Sequence, residues 1–520
     1  MNRFFFVIRN NKFVTVQLAL LIGVGLLLRF ASLGYSNFQG DEILTLCRFS
    51  DYETPGQFFD YLFRQRKGPV QFLITCAFSL FDPTFSSELA LRLPFAIANF
   101  LAVVCLFLLV YHLFSLDIAI YASFLFAVNG IFIAFARIVQ YQSFVLLGGL
   151  AGILGLTLSL KYEKWRLSGL YLGCISAAIS LLAHFDAAFF IPPMAILVLH
   201  WWMKFRTQPD FARLRTHLLA AVMLAAFLVL GFYLAYVLQL GPFQLNYWRN
   251  RFTGDSTNFI RLFQFYNPSP VLWIGIVWVI FGLTRIRTSL RWQVLLAWLL
   301  PPFIFMVLIF KESLTHAYTY LLPLLVVAGI GVDTMINWIH VQFQGKSLQI
   351  ARSIVILILL TFSYFSYELF IDHNPEYPWS PKRVLGMELE GGFVTGTFGF
   401  PYSREWREIG MWFENLKTDS DVIVVTNEKR QFVSFYLPSE VGNRFKYSLP
   451  EFSDDIRAPR DGLYILLIDR PQSWMFQLWG LNLEQWREKF VPLHEFVNEK
   501  GQTIGAVYYL TQEQIDREFH

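Results

Sequence analysis

The sequence predicts a polytopic α-helical membrane protein, with about eleven transmembrane helices and a small extracytoplasmic α/β domain at the C-terminal end. Composition is the first reason, since hydrophobic residues make up 55% of the 520 positions and charged residues only 15%. The mean hydropathy is +0.46, and a chain this apolar has too little polar surface to stay in solution. The second reason is that the apolar residues form long blocks, and a helix that crosses a bilayer needs about 20 of them.

The apolar blocks define the predicted spans, of which the block at 270–284 is the shortest. They lie near residues 13–33, 92–113, 117–135, 142–160, 166–183, 186–203, 217–239, 270–284, 292–310, 316–337 and 352–371. A basic stretch precedes the first block, and no small-x-small cleavage site follows it. We therefore predict an uncleaved first span with its N-terminus in the cytoplasm.

The apolar run 69–81 has only 13 residues, so it predicts a helix at the membrane surface rather than a span. The Lys and Arg residues test this topology. Every predicted cytoplasmic connection except the tight turn at 114–116 is basic, as the positive-inside rule requires. If 69–81 crossed the membrane, the later basic connections would face outward. The loop 34–91 and the tail after residue 371 are therefore predicted to be extracytoplasmic.

Two domains follow from this organisation. Residues 1–371 form a transmembrane module that includes the loop 34–91, and residues 372–520 form an extracytoplasmic soluble α/β domain, where the chain becomes charged and rich in turns. Hydrophobic patterns in the tail predict two buried strands, in DVIVVTN and GLYILLID, and an amphipathic helix in REWREIGMWFENL. The predicted location is the cell (inner or plasma) membrane, which the chain crosses many times.

Charge and cysteine usage narrow the functional classes. The net charge of +4 is too small to suggest a nucleic-acid partner, and the sequence contains no basic stripe. The four cysteines (Cys47, Cys76, Cys105 and Cys174) form no CxxC pair. We therefore predict inert core thiols rather than a disulfide framework or a metal site.

The first polar cluster is the pair Asp41 and Glu42, which follows the turn residue Gly40 a short distance beyond the first span. A carboxylate pair at the start of a helix is stabilised by the helix dipole and by capping, which is the simpler interpretation. The functional interpretation is a general base, because a carboxylate near the membrane surface can accept the proton of an attacking hydroxyl. Both interpretations stay open on this fragment.

The second cluster is the basic stretch that contains Arg66 and Lys67, directly before the predicted surface helix. Cations on an outer loop oppose the orientation rule, and a lipid phosphate is their natural partner. A general anchor for lipid headgroups is the alternative.

Three further clusters lie at the outer ends of predicted spans: Arg137 with Gln140 and Tyr141, His184 with Asp186, and a segment opening the tenth span. The candidate residues of that last segment are His316, Tyr318 and Tyr320. The predicted topology places all five clusters on one side of the membrane. A single histidine there would more often be a hydrogen-bonded interfacial residue than a ligand or catalyst. The location of all five clusters on one side is therefore better evidence for a functional site than any one cluster.

An ordered series of motifs resembles the GT-C glycosyltransferases, and within them the protein O-mannosyltransferases, the lipid A aminoarabinose transferase and their bacterial relatives. The series covers approximately residues 10–340. Its members are LLLRFASLG, GDE, KGP, ALRLPFAIANFL, FARIVQYQSF, AHFDAAFFIPP and HAYTYLLPLLVVAGIG.

The resemblance implies inverting transfer of a sugar from a polyprenyl-phosphate donor to an extracytoplasmic acceptor, which is a glycan, a lipid or a protein. By motif, Asp41 matches the essential loop acid and Glu42 its companion, and Lys67 matches a basic residue that meets the donor phosphate. Arg66 and Arg137 are further candidates for that phosphate. The candidate substrate-binding residues are Tyr141, His184, His316, Tyr318 and Tyr320.

The chain departs from the family pattern after Arg137. Some members have an Asp there, whereas this chain has Gln140, Tyr141 and Gln142. Asp41 therefore carries more of the proposed chemistry. No cofactor is required, because no nucleotide has to be held, and a divalent metal ion is compatible with the site without being needed.

Two alternative functions are compatible with the sequence. A membrane transporter would place polar groups near mid-membrane and show internal repeats or broken helices, whereas the polar clusters here are at one face. A relative of the GT-C enzymes that binds lipid or glycan without catalysis would keep the same topology. The sequence favours the enzyme because Asp41, Lys67 and Arg137 occur together.

Overall fold

The computed structural model describes residues 11–65, 67–253, 259–310, 315–391, 398–416, 424–437, 445–446, 463–472, 482–511, 513–514 and 517. Its helices are α1 Lys12–Phe30, α2 Gly40–Ile43, α3 Pro55–Phe63, α4 Val70–Ser79, α5 Glu88–Leu113, α6 Leu116–Val128, α7 Gly130–Ala136, α8 Gln142–Lys161, α9 Arg166–Ala183, α10 Ile191–Phe205, α11 Phe211–Leu238, α12 Pro242–Thr253, α13 Phe259–Tyr266, α14 Ser269–Leu283, α15 Leu290–Ile304, α16 Tyr318–Phe343, α17 Ser347–Phe370, α18 Trp406–Asn415, α19 Arg430–Tyr436 and α20 Leu483–Lys489. Its strands are β1 Lys382–Val384, β2 Met387–Leu389, β3 Val424–Thr426, β4 Phe445–Lys446, β5 Leu463–Ile468, β6 His494–Val497 and β7 Thr503–Leu510.

The chain divides into two compact units. Unit 1 comprises residues 1–33 and 47–372, and unit 2 comprises residues 34–46 and 373–520. The domain boundary predicted from the sequence lies at 371/372, and the structure adds to unit 2 a segment from the predicted outer loop. We call this segment, Gly34–Leu46, the first-loop segment.

Unit 1 is a polytopic helical membrane assembly. Nine helices in the described residues are long and apolar enough to cross a membrane, or up to ten if the bent pair α6 and α7 counts as one span. The predicted block at 270–284 forms α14, which has only 15 residues. Together with the bent pair, which corresponds to the predicted span 117–135, it accounts for the difference between nine helices and about eleven predicted spans. The run 69–81 forms α4, which has 10 residues and is too short to cross.

The bend between α6 and α7 is 64°, and Asn129 is the residue at the break. Its side chain accepts a hydrogen bond from the Ile131 main-chain N–H at 3.1 Å, which caps α7. Gly130 follows, and a Cβ at this position would lie 1.8 Å from the carbonyl oxygen of Tyr266. Only glycine permits that approach. Helix α7 begins at this break, and Arg137 follows its last residue, Ala136.

Unit 2 contains a mixed sheet with strand order β4-β3-β5-β7-β6. Strand β3 pairs in parallel with β4 and β5, whereas β7 pairs antiparallel with β5 and β6. The predicted strands correspond to β3 and β5, and the predicted amphipathic helix is α18. One core cluster packs α18 and α19 against the sheet through Trp406, Phe432 and Leu466. A second cluster contains Trp486 of α20 and Tyr508 of β7.

The prediction of inert cysteines is wrong for one pair. Cys47 and Cys76 form a disulfide with a Cα–Cα distance of 4.7 Å, and both belong to unit 1. Cys105 and Cys174 are free thiols. The spacing of 29 residues gave no motif, because the pair forms only when α4 folds back beside the chain that leads into α3.

Candidate functional site

A buried polar cluster in unit 1 gathers residues from three of the predicted groups. We call it the polar cluster and define it by Gln140, Tyr141, His184, Asp186, His316 and Tyr318. Its residues come from the ends of helices: Tyr141 immediately precedes α8, His184 immediately follows α9, and Tyr318 begins α16. Helix packing therefore sets their positions, since the ends of α8, α9 and α16 bring together residues that are far apart in sequence.

Asp186 is the centre of the cluster and is only 1% exposed. Its Oδ2 atom lies 2.7 Å from His316 Nδ1 and accepts a hydrogen bond from the Tyr318 hydroxyl at 2.8 Å. Its Oδ1 atom lies 3.2 Å from His184 Nδ1. A carboxylate in an apolar surrounding must be paired. The two partners of Oδ2 meet this need and orient the His316 ring, whereas Oδ1 has no hydrogen-bond partner among the described residues. The sequence identified this turn but gave Asp186 no role of its own.

His184 lies between two candidate spans and is held from both sides. The Asp186 main-chain N–H donates to His184 Nδ1 at 3.1 Å, and the Tyr141 ring stacks on the imidazole with centroids 3.8 Å apart. Burial lowers the pKa of His184 to about 4, because desolvation disfavours the charged form. His184 is therefore neutral at pH 7 and presents a polar, uncharged face.

Lys67 joins the cluster from the segment that leads into α4. Its Nζ donates to the Gln140 Oε1 atom at 3.4 Å, and the side chain is half-buried. Gly68 makes this approach sterically permissible: its φ is +79°, and a Cβ there would lie 2.4 Å from the Leu182 carbonyl oxygen. The KGP motif thus lies against the end of α9, with a cation beside the buried polar groups.

The polar cluster is also where a metal ion could bind. His184, Asp186 and His316 form a group whose ligand atoms all lie within 4.8 Å of one another, and imidazole with carboxylate is a usual zinc ligand set. The residue types fit a divalent ion. In the structure, however, Asp186 and His316 hydrogen-bond each other, so an ion would have to replace that contact.

Arg137 has main-chain partners. Its Nη1 donates to the Ala31 carbonyl at 2.8 Å, and its Nη2 to the Ser32 carbonyl at 3.0 Å. Two other buried arginines lie near the same end of α1: Arg29 donates to Asn99 Oδ1 at 3.0 Å, and Arg92 to the Leu33 carbonyl at 3.1 Å. The free carbonyls at a helix end need such donors. Arg29 and Arg92 occur in the motifs LLLRFASLG and ALRLPFAIANFL, but no role was predicted for them.

Two other predicted residues are placed as follows. Tyr320 is buried on α16, and its ring packs edge-on against Phe303 with centroids 5.8 Å apart. Arg66 lies outside the described residues, as do residues 311–314 of the segment before the tenth span.

Asp41 and Glu42 belong to unit 2, in the short helix α2. Glu42 is buried, and its Oε2 atom accepts the Gln39 main-chain N–H at 2.8 Å, which is a capping contact. The Asp41 residue is exposed. The structure thus gives the two carboxylates different surroundings, with the capping contact made by Glu42.

Solved structures share this fold. ArnT from Cupriavidus metallidurans bound to undecaprenyl phosphate matches 95% of this chain and 98% of its own, with TM-score 0.54 and 11% identity. The Archaeoglobus fulgidus oligosaccharyltransferase, tethered with an acceptor peptide containing the NVT sequon, matches 96% of this chain and 74% of its own, with TM-score 0.50 and 12% identity. Another structure of that protein, in complex with Zn and sulfate, has TM-score 0.50, 11% identity and covers 95% and 73% of the two chains. The chain therefore has the fold of a polytopic GT-C membrane protein.

A family model described as dolichyl-phosphate-mannose-protein mannosyltransferase matches residues 67–233. Together with the structures, this match points to the GT-C glycosyltransferase superfamily and confirms the resemblance predicted from the sequence. No match was found among curated proteins.

Proposed function

We propose that this protein is an inverting glycosyltransferase that moves a sugar from a polyprenyl-phosphate donor to an acceptor outside the cytoplasm. The observation that carries the proposal is the approach of Lys67 to the polar cluster, because a cation beside buried, orientable polar groups suits a phosphate that gains charge. The family match and the undecaprenyl phosphate bound to the structurally similar ArnT support a lipid-linked donor.

Lys67 is the proposed ligand of the donor phosphate. The leaving group is a lipid phosphate, whose negative charge grows as the bond to the anomeric carbon breaks. A lysine ammonium stabilises that charge most in a partly dehydrated place, and Lys67 is half-buried there. Since Arg137 already donates to main-chain carbonyls, Lys67 carries this role, with Arg66 as a second candidate from the same basic stretch.

Asp41 is the proposed general base, which takes the proton of the acceptor hydroxyl as that oxygen attacks the anomeric carbon. Its exposure supports this role, since a base must reach a substrate. Glu42, its companion, supports the turn that carries Asp41 through the contact to Gln39. The proton passes to Asp41, the new glycosidic bond forms, and the lipid phosphate leaves with the bonding electrons.

The polar cluster is proposed to bind the substrate. His316, oriented by Asp186, offers its remaining ring nitrogen, while Tyr141 and His184 form a stacked pair that suits a sugar face. Tyr318 and Tyr320 belong to the segment that the resemblance places at the donor site. A divalent ion bound by His184, Asp186 and His316 would supply positive charge there, and the proposed reaction takes no step through it.

The proposed orientation has the N-terminus in the cytoplasm, with the loop 34–91 and the C-terminal domain 372–520 outside. The disulfide between Cys47 and Cys76 supports an outer location for that loop, because disulfides persist in oxidising compartments. The C-terminal domain is proposed to help hold the acceptor; its deletion without loss of activity or acceptor choice would contradict that role.

The test is sugar transfer in proteoliposomes that contain the purified protein, radiolabelled polyprenyl-phosphate sugars and a membrane extract of acceptors. We expect Lys67→Ala to lower transfer by about 100-fold, in the range measured for loss of one donor to developing charge. Arg64→Ala is the matched control, since Arg64 lies in the same basic stretch and pairs with Asp60 at 2.7 Å on the surface. Equal activity of both variants would remove Lys67 from the mechanism. No transfer by wild type with acceptor present would favour a transporter or a non-catalytic binding protein.

A further inference from the structure

The first-loop segment is built into unit 2 although it follows the first span in sequence. Residues 34–46 group with residues 373–520, and the segment contains Asp41. Hydrogen bonds at four consecutive positions before α2 hold the segment to residues of unit 2 that are more than 300 positions away along the chain.

The first set of contacts joins Ser36 and Asn37 to Tyr402 and Arg404 of the same unit. The Asn37 main-chain N–H donates to the Tyr402 carbonyl at 3.0 Å, and the Arg404 N–H donates to Asn37 Oδ1 at 2.7 Å. The Tyr402 N–H donates to Ser36 Oγ at 3.0 Å. Because Asn37 is buried, these bonds fix the backbone at the entry to α2.

A buried ion pair lies beside these hydrogen bonds. Arg404 Nη1 contacts Glu376 Oε2 at 2.5 Å, and their side chains are 4% and 14% exposed. Glu376 Oε1 also accepts from the Tyr35 hydroxyl at 3.0 Å and from the Ser403 N–H at 2.8 Å. Arg404 Nε donates to the Asp469 carbonyl at the end of β5. One charge pair thus links the sheet, the 402–404 stretch and the first-loop segment.

The third set of contacts lies next to α2. The Phe38 main-chain N–H donates to the Tyr436 hydroxyl at 2.8 Å, and the Phe38 ring packs edge-on against Phe435 with centroids 5.6 Å apart. On the other side of Asp41, Ile43 packs against the core cluster of unit 2. Asp41, which is exposed, thus lies between two residues that are fixed on the same unit.

We propose that Glu376, Arg404 and Tyr436 are positioning residues, which hold the turn that carries the Asp41 carboxylate in its working orientation on unit 2. The proposal rests on the proposed function, in which Asp41 is the general base. It gives unit 2 a part in the chemistry and not only in acceptor binding. A general base acts only within hydrogen-bond reach of its proton, and a shift of about 1 Å can cost 100-fold in rate. Loss of these contacts would lower kcat and leave donor KM unchanged.

The central variant is Tyr436→Phe, which removes one oxygen and leaves Phe38 N–H without this acceptor. Tyr508→Phe is the matched control: Tyr508 is buried in the same unit, and its hydroxyl has no hydrogen-bond partner among the described residues. Each full-length variant is measured in two ways, as hydrogen–deuterium exchange of a peptide covering 34–46 and as transfer kinetics. For Tyr436→Phe we expect exchange about 10-fold faster and kcat about 10-fold lower, with donor KM within about 2-fold.

A second pair of variants guards against misfolding as the cause. Tyr35→Phe removes one donor to Glu376 and should give the same pattern more weakly. Arg404→Lys should restore part of the kcat that Arg404→Met loses, because it keeps the charge opposite Glu376. A purely structural role would lower the melting temperature and the active fraction, without the combination of lower kcat, unchanged donor KM and faster exchange confined to residues 34–46.

The outcomes separate the two proposals. Unchanged exchange of 34–46 and unchanged kcat in Tyr436→Phe would overturn the positioning role while leaving the transferase intact. A wild-type protein that transfers no sugar would overturn the proposed function. In that case the exchange of 34–46 still decides whether Tyr436 and Glu376 hold the segment, since that measurement needs no substrate.

Discussion

The polar cluster of unit 1 and the first-loop segment of unit 2 both contain candidate site residues, but different forces hold them. In the polar cluster, side chains from helix ends contact one another, as when Asp186 accepts from Tyr318. In the first-loop segment, main-chain groups are paired, as when Asn37 N–H donates to the Tyr402 carbonyl. A substitution in the cluster therefore changes the chemistry of a site whose frame is set by long helices. A substitution beside the segment changes where the backbone lies.

The largest expected effect tests whether the segment carries the base. Asp41→Asn keeps the shape but removes the proton acceptor, so we expect transfer to fall about 1,000-fold, within the range for general-base catalysis. Transfer by purified protein in proteoliposomes is the measurement, and Asp51→Asn, at another exposed acid of the same predicted outer loop, is the control. Full activity of the Asp41 variant would leave Glu42 as the next candidate.

The second effect concerns the loop that belongs to unit 1. Replacing both Cys47 and Cys76 by Ala removes the disulfide, and we expect a loss of about 3 kcal/mol in the stability of the closed loop. Protease cleavage within residues 47–76 should become faster, whereas exchange of the peptide 34–46 should change little. Cys105→Ala, which alters a free thiol, controls for the loss of sulfur. Equal cleavage of all three proteins would show that helix packing alone holds this loop.

A smaller effect tests the polar cluster. Asp186→Asn preserves an oxygen acceptor but removes the charge that strengthens the contact to His316, so we expect transfer to fall about 10-fold. Exchange of the peptide 34–46 should stay at the wild-type rate. Asp333→Asn on α16, whose partner is Asn337 at 3.1 Å, controls for loss of an acid on a long helix. A wild-type rate for Asp186→Asn would mean that the cluster is only structural.

The smallest effect concerns metal. Since Asp186 and His316 already hydrogen-bond each other, we expect dialysis against EDTA to leave transfer within about 2-fold of the untreated rate. Metal content of the same samples by elemental analysis accompanies the assay. A loss of activity that Zn²⁺ restores, together with a loss of bound metal in Asp186→Asn, would instead assign a metal site to the polar cluster.

The membrane architecture could be predicted because a bilayer imposes its own length and hydrophobicity on each span. The same constraint separated the run 69–81, which forms the 10-residue α4, from the predicted spans, and it marked 270–284, which forms the 15-residue α14, as the shortest of those spans. The residues of the polar cluster were also named, since polar groups at helix ends stand out against apolar blocks. Their pairing was not, because the contact between Asp186 and His316 depends on how α9, α10 and α16 pack.

The placement of the first-loop segment could not be predicted at all. Asn37 and Arg404 are 367 residues apart, and nothing near Asn37 in sequence indicates that partner. The disulfide was missed for the same reason, since two isolated cysteines give no sequence signal that they pair. Arg137 was named as a candidate for the donor phosphate, and its actual acceptors could not be predicted. They are the carbonyls of Ala31 and Ser32, and main-chain atoms have no sequence signature.

The discontinuity of unit 2 has a consequence for how the protein is made. Residues 34–46 leave the ribosome long before residues 373–520, and at typical synthesis rates the interval is on the order of tens of seconds. During that time the Asn37 and Phe38 amides lack the partners that Tyr402 and Tyr436 later provide. Water hydrogen-bonds these amides until translation ends. The last part of the chain therefore completes the fold of one of the first.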